Sequence, residues 1–205
     1  LLDRNAAAAA AVAGTADALR SVAPPSPAAA DVIALLRPLR VGNWWDAKIP
    51  PLLAIAYLEL LRAGATPQAA LPPLAFYLAA VVCVASYGHV VNDIFDIEAD
   101  RRAGKANTMA ALPVFLHSAL PAALLGAGFA AALLGRFPPI ALALLAANYL
   151  WPTLYSWPAT RLKEHGLWGV VADAFGSHLT PTLLALALLA PDWPRDGASG
   201  AFAVL

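Results

Sequence analysis

Asn92, Asp93, Asp96 and Asp100 place four oxygen-bearing side chains within one short stretch, Asn92-Asp93-Ile94-Phe95-Asp96-Ile97-Glu98-Ala99-Asp100. At helical periodicity, positions 92, 96 and 100 lie one above another on a single face, with 93 beside them. Carboxylates stacked in this way repel one another unless a cation sits between them. The stretch follows directly on the run Leu71–Val91, which holds no Asp, Glu, Lys or Arg. Ionisable groups at the edge of a hydrocarbon layer are rare unless they do something there. The pattern predicts a divalent-metal site at a membrane surface, with Asn92, Asp96 and Asp100 as oxygen ligands. Asp93 is predicted to ligate a second ion or to orient the other ligands. An EF-hand is excluded, because ligands at loop positions 1, 3 and 5 and a glycine at 6 are absent.

The elements that must hold this motif are apolar. Of all residues, 60% are hydrophobic and 13% charged, with a mean hydropathy of +0.66; soluble domains carry about 25% charged residues. Net charge is zero, so no global field argues for nucleic acid as a partner. The one cysteine, Cys83, excludes an intramolecular disulfide and reads as a small packing residue.

Residues 1–30 are rich in Ala, Pro and Ser, with Pro24, Pro25 and Pro27 as helix breakers, and read as a low-order extension. Residues 31–205 read as one all-α domain. Its apolar segments fall at about 44–63, 71–95, 111–134, 137–157 and 167–190, with the start of a sixth after Gly200. Each approaches the roughly 20 residues that span a bilayer as a helix. All six tryptophans (Trp44, Trp45, Trp151, Trp157, Trp168 and Trp193) fall near segment ends, as in an aromatic belt. Counting basic residues beside the segments puts Arg37, Arg40, Lys48, Arg101, Arg102, Lys105, Arg161 and Lys163 on one side, and Arg62, Arg136 and Arg195 on the other. The positive-inside rule then sends the richer side, and the acidic motif with it, to the cytoplasm.

Several further residues are candidates. His89 lies one turn before Asp93 and reads as a hydrogen-bonding neighbour of the motif. Asp173 lies seven residues into the last apolar segment and needs a partner or a cavity. His178 is about 140° around the helix from it and does not pair with it. Glu59 reads as a boundary residue at the far end of the first span.

The motif resembles the first aspartate motif, N-D-x-x-D-x-x-x-D, of the UbiA superfamily of intramembrane prenyltransferases. Arg37-Pro38 and the segment Tyr155-Ser156-Trp157-Pro158 with Arg161-Leu162-Lys163 are similar to that family as well, and the resemblance covers roughly residues 35–190. It implies a multi-pass helical bundle of about nine helices, of which this chain would be the N-terminal part. A second aspartate motif would then lie beyond Leu205, and these residues alone would be inactive. Asp192-x-x-x-Asp196 has the spacing but sits in a Trp/Pro-rich loop on the opposite side. The implied activity is Mg²⁺-dependent transfer of a polyprenyl group from its diphosphate to an acceptor at the cytoplasmic side of a membrane, expected to be a bacterial inner membrane. Asn92, Asp93, Asp96 and Asp100 would be catalytic. Arg101, Arg102, Lys105, Tyr155, Arg161, Lys163 and Asp173 would bind substrate, Tyr155 or Tyr87 offering a π face to an allylic cation. The segment Gly104–Ala110 lacks the Arg-Pro pair common in relatives with quinone-precursor or tetrapyrrole acceptors. Other functions open to the same motif are a non-catalytic lipid-diphosphate binder or transporter, and a CDP-alcohol phosphotransferase.

Overall fold

The computed structural model of the chain describes residues 36–190, together with Val32 and Ala34. The Ala/Pro-rich extension, the Asp192–Asp196 pair, Arg195, Trp193 and the segment after Gly200 lie outside the described residues. Every regular element among the described residues is helical. The principal helices are α1 (Val41–Arg62), α2 (Pro67–Arg102), α3 (Leu116–Leu134), α4 (Pro139–Ser156), α5 (Leu167–Ala174) and α6 (Thr180–Leu189). A π-helical turn, Phe175–Leu179, joins α5 to α6 as one continuous rod. Single 3₁₀ turns lie at Arg37–Leu39, Met109–Ala111 and Leu162–Glu164.

Among the described residues, three helices are long and apolar enough to cross a membrane: α2, α3 and the rod Leu167–Leu189. The other two predicted segments also fold as helices, α1 and α4, but do not join that group. Polar and charged residues dilute α1 (Asp46, Lys48, Glu59 and Arg62), and Asn148, Tyr149 and Pro152 dilute α4.

Local sequence explains where the helices stop. Thr66 caps α2, its hydroxyl accepting from the Ala69 amide, and Pro67 fills the first helical position, where no amide donor is needed. At the other end Gly104 adopts a φ of 65°, and the paired bonds Lys105 N→Asp100 O and Gly104 N→Arg101 O close a Schellman motif. The same paired bonds end α1 at Gly64 and α3 at Arg136. The 36 residues of α2 make it about 54 Å long, well beyond the roughly 30 Å of bilayer hydrocarbon. Its last three turns, which carry the acidic motif, therefore extend past the uncharged run. The predicted segment ended at residue 95 because hydropathy fades there. The helix continues because Glu98, Ala99, Arg101 and Arg102 are good helix formers and no breaker arrives before Gly104.

α2 packs along α3 and α4, while α6 packs on α4 and α1. Leu52, Ala56, Tyr77, Val81, Leu145 and Leu184 are among the buried residues where these helices meet. At Gly128 the α3 backbone passes so close to Tyr149 that a Cβ there would lie 2.0 Å from the phenol oxygen. The Tyr149 hydroxyl donates to Leu124 O, and the ring stacks on Phe129 and meets Tyr87 edge-on. Trp44 departs from the predicted aromatic belt. It is 1% exposed, with its indole N–H donating to Leu39 O, so it belongs to the core. Trp45, Trp157 and Trp168 are exposed.

Candidate functional site

All of Asn92, Asp93, Asp96 and Asp100 lie within α2, and three surrounding segments converge on them. Before α1, Arg40 takes a φ of 47° and sends its guanidinium to Asp93 Oδ1 at 2.7 Å. From the loop after α2, Thr108 Oγ1 donates to Asp93 Oδ2 at 2.5 Å. Asn107 Nδ2 donates to the Asp93 carbonyl at 2.8 Å and to Asp100 Oδ2 at 2.9 Å. The Asn107 side-chain oxygen in turn accepts from the amides of Met109 and Ala110, which folds the loop back over the end of the helix.

The third segment follows α4. Arg161, with a φ of 38°, reaches Asp96 Oδ1 at 3.1 Å and also pairs with Glu164. Lys163 Nζ donates to Asp96 Oδ2 at 2.5 Å and to Asn92 Oδ1 at 2.9 Å, and Ser156 Oγ donates to the same Asn92 oxygen at 3.2 Å. Gly169, at the start of α5, makes room for this loop. A Cβ there would lie 3.0 Å from Leu162 O and 3.2 Å from Lys163 Cα. Left-handed backbone is uncommon outside glycine, yet both arginines that grip the acidic helix adopt it. The Glu164 hydrogen bond, aided by the charges of Glu164 and Asp96 and opposed by desolvation, raises the Arg161 guanidinium above its ordinary value. Arg161 is therefore charged throughout the accessible pH range.

The acidic residues fall into two groups. Asp93 is 1% exposed with both oxygens engaged by Arg40 and Thr108, which makes it an anchor between α1, α2 and the following loop. Asn92, Asp96 and Asp100 instead share an open recess with Lys105, Tyr155, Arg161 and Lys163. Arg101 and Arg102 do not join them. Both turn to Glu98 on the exposed side of α2, at 2.7 and 3.2 Å.

Behind the recess lies a cavity of about 360 Å³, within the size range of small-molecule sites. Its apolar wall includes Trp44, Leu52, Val81, Val84 and Ala172, and its polar lining includes Lys48, His89, Asn148, Asp173 and Ser177. Lys48 Nζ donates to Ser177 Oγ at 2.6 Å, and that hydroxyl donates to Asp173 Oδ1 at 2.8 Å. The wide π turn carries Ser177. Asn92 and Tyr155 line both the cavity and the recess, so the two spaces share a wall at these residues. His178 is exposed and takes no part. Tyr87 is occupied by packing, its hydroxyl bonded to that of Thr153. Glu59, predicted as a boundary residue, is buried and paired with Arg62 at 3.2 Å.

The residues that sequence reasoning missed are Arg40, Asn107, Thr108, Ser156 and Asn148. Asn107 and Thr108 act across the chain reversal after α2, and Arg40 acts from 53 residues before Asp93, where helical periodicity carries no signal. Among the described residues, no three carboxylate, histidine or cysteine side chains converge as a metal cage. The predicted ligand set is two carboxylates and one amide oxygen. Lys163 Nζ lies between two of its members, Asn92 Oδ1 and Asp96 Oδ2. Comparison with family models, curated proteins and solved structures finds no match to this chain.

Proposed function

We propose that this chain is the diphosphate-binding part of a multi-pass membrane prenyltransferase. Its five apolar segments would cross the membrane, with the acidic end in the cytoplasm of a bacterial cell. One observation carries the reading: Asn92, Asp96 and Asp100 share a recess with Lys105, Arg161 and Lys163, and that recess adjoins a largely apolar cavity through Asn92 and Tyr155. Acidic and basic side chains side by side suit a polyanion that arrives with its own cation.

The residues present fit Mg²⁺. Asn92, Asp96 and Asp100 form an all-oxygen set, the kind this ion prefers. The ammonium of Lys163, held between Asn92 and Asp96, marks a point where positive charge is already favourable. The ion would be held by these three residues, and it supplies Lewis-acid stabilisation of charge on a departing diphosphate. Lys105, Arg161 and Lys163 bind the diphosphate oxygens. Arg40 and Thr108 fix the helix end through Asp93, so the three ligands keep their register. Tyr155 stands at the junction of recess and cavity, where its ring can face a developing allylic cation. The apolar wall of the cavity excludes water that would otherwise compete with the acceptor.

The experiment is prenyl transfer by the native full chain in lipid nanodiscs, using a labelled polyprenyl diphosphate, with Asp96→Ala as the variant. The expected outcome is a loss of at least about 100-fold in rate. Wild-type turnover in Asp96→Ala would reject the mechanism. Diphosphate binding or flux without any turnover would assign the same recess to a lipid-diphosphate binder or transporter.

A further inference from the structure

Both oxygens of Asp96 are already held by cations. Lys163 Nζ donates to Oδ2 at 2.5 Å, and the Arg161 guanidinium donates to Oδ1 at 3.1 Å. The same ammonium bonds Asn92 Oδ1 at 2.9 Å, so one lysine bridges two of the three side chains suited to hold the ion. Lysine is rarely enclosed unless it is paired, and Lys163 is only 13% exposed. A divalent ion bonded to Asn92 and Asp96 would share their oxygens with that ammonium, positive charge against positive charge.

The recess as a whole is balanced in charge. Asp96, Asp100 and Glu164 line it together with Lys105, Arg161 and Lys163, three formal charges of each sign. A bare divalent ion would upset this balance, and so would a bare diphosphate. The two together bring little net charge. The cations on Asp96 also differ in freedom. Arg161 is tied on its other side to Glu164. Among the described residues Lys163 Nζ bonds to Asn92 and Asp96 alone, at the end of a flexible four-carbon stem. It can carry its charge away without moving the backbone.

We propose that Lys163 makes the recess selective for an ion–diphosphate complex over the bare ion. Its ammonium holds the Asn92–Asp96 seat against free divalent cations. It gives up the seat when a diphosphate draws it to phosphate oxygens. This rests on reading the recess as a diphosphate site. The sign of one substitution separates the role from that of a simple clamp, because removing the charge of Lys163 strengthens binding of the ion alone.

The probe is Mn²⁺, which suits the same oxygen ligands as Mg²⁺ and loses its free-ion EPR signal on binding. It is titrated into the native full chain in phosphatidylcholine nanodiscs, with empty nanodiscs subtracted and the fold checked by thermal unfolding. Lys163→Met is expected to bind Mn²⁺ about tenfold more tightly than wild type. Lys105→Met removes the same charge from the same recess and should give a much smaller gain. Adding Asp96→Asn to Lys163→Met should abolish the gain. No gain in a folded Lys163→Met overturns the inference. An equal gain in Lys105→Met overturns it as a general charge effect, and a gain that survives Asp96→Asn places the ion elsewhere and overturns it too. A second measurement needs no variant: equilibrium dialysis of labelled inorganic diphosphate against the wild-type chain. Mn²⁺ should tighten diphosphate binding about tenfold, and an unchanged or weaker affinity overturns the inference. No turnover is measured. Failure of prenyl transfer would sink the earlier proposal and leave this result standing, whereas active enzyme with no gain in Lys163→Met sinks this one alone.

Discussion

Asp93 and Asp96 sit three residues apart on one helix and have opposite surroundings. Asp93 is sealed in, while its partner Arg40 is 31% exposed. Removing the cation leaves a buried carboxylate with only Thr108 to hold it; removing the anion leaves an arginine that can reach water. Arg40→Ala should therefore cost more stability than Asp93→Asn, about 3 kcal/mol for the former, measured by denaturant unfolding in detergent. The opposite ranking would show that Asp93 is not the sealed partner. Arg101 and Arg102 offer a contrast, because their pairs with Glu98 are largely exposed on both sides. Arg101→Ala and Arg102→Ala should each shift stability by under about 0.5 kcal/mol. Sequence spacing put Asn92, Asp96 and Asp100 on one face, and they do share one recess. The same spacing could not separate Asp93 from them, because its partners come from residues 40 and 108, one before α1 and one beyond α2.

Among the elements, the α3–α4 contact tests the packing most sharply. Gly128→Ala would drive Tyr149 from its place, break its bond to Leu124 O and disturb its contacts with Phe129 and Tyr87. The expected cost is about 2–3 kcal/mol. Gly126, two residues earlier on α3, has open space where its Cβ would be. Gly126→Ala should stabilise by about 0.5–1 kcal/mol through helix propensity. Thermal unfolding of the two variants reads opposite signs if the contact is as described. Hydropathy located all five helical segments, and their ends were read less well. Sequence composition marks where hydrocarbon-like residues cease, whereas a helix ends where a glycine or a cap lets it. That difference is why α2 runs to Arg102 although its apolar run stops at Val91. The π turn at Phe175–Leu179 left no periodic trace, since one wide turn in the middle of a long helical segment changes nothing in its composition.

At the scale of the molecule, the starts of α1 and α5 and the ends of α2 and α4 meet at one end, as the pairs Arg40–Asp93, Arg161–Asp96 and Ser156–Asn92 require. This agrees with the side assignment made from the basic residues. The orientation itself is tested by replacing Cys83 with serine and introducing single cysteines in turn by Ala159→Cys and Gly64→Cys. A membrane-impermeant maleimide applied to intact cells should label the Gly64→Cys protein and spare the Ala159→Cys protein; the reverse pattern would invert the topology. The all-helical class and the end carrying the charge were legible because both follow from composition along the chain. The cavity was not, because its lining comes from the region before α1, from α1, α2, α4 and α5, from the π turn and from α6. Asn92 stands in the wall between that cavity and the recess, and this gives the two compartments a shared boundary. Any ligand that pulls its side chain toward one compartment reshapes the other. Where occupancy on one side changes affinity on the other by some factor, equilibrium linkage returns the same factor in the reverse direction. On the prenyl-transfer proposal, donor and acceptor would then be bound as a thermodynamically coupled pair, each reporting to the other through a single amide.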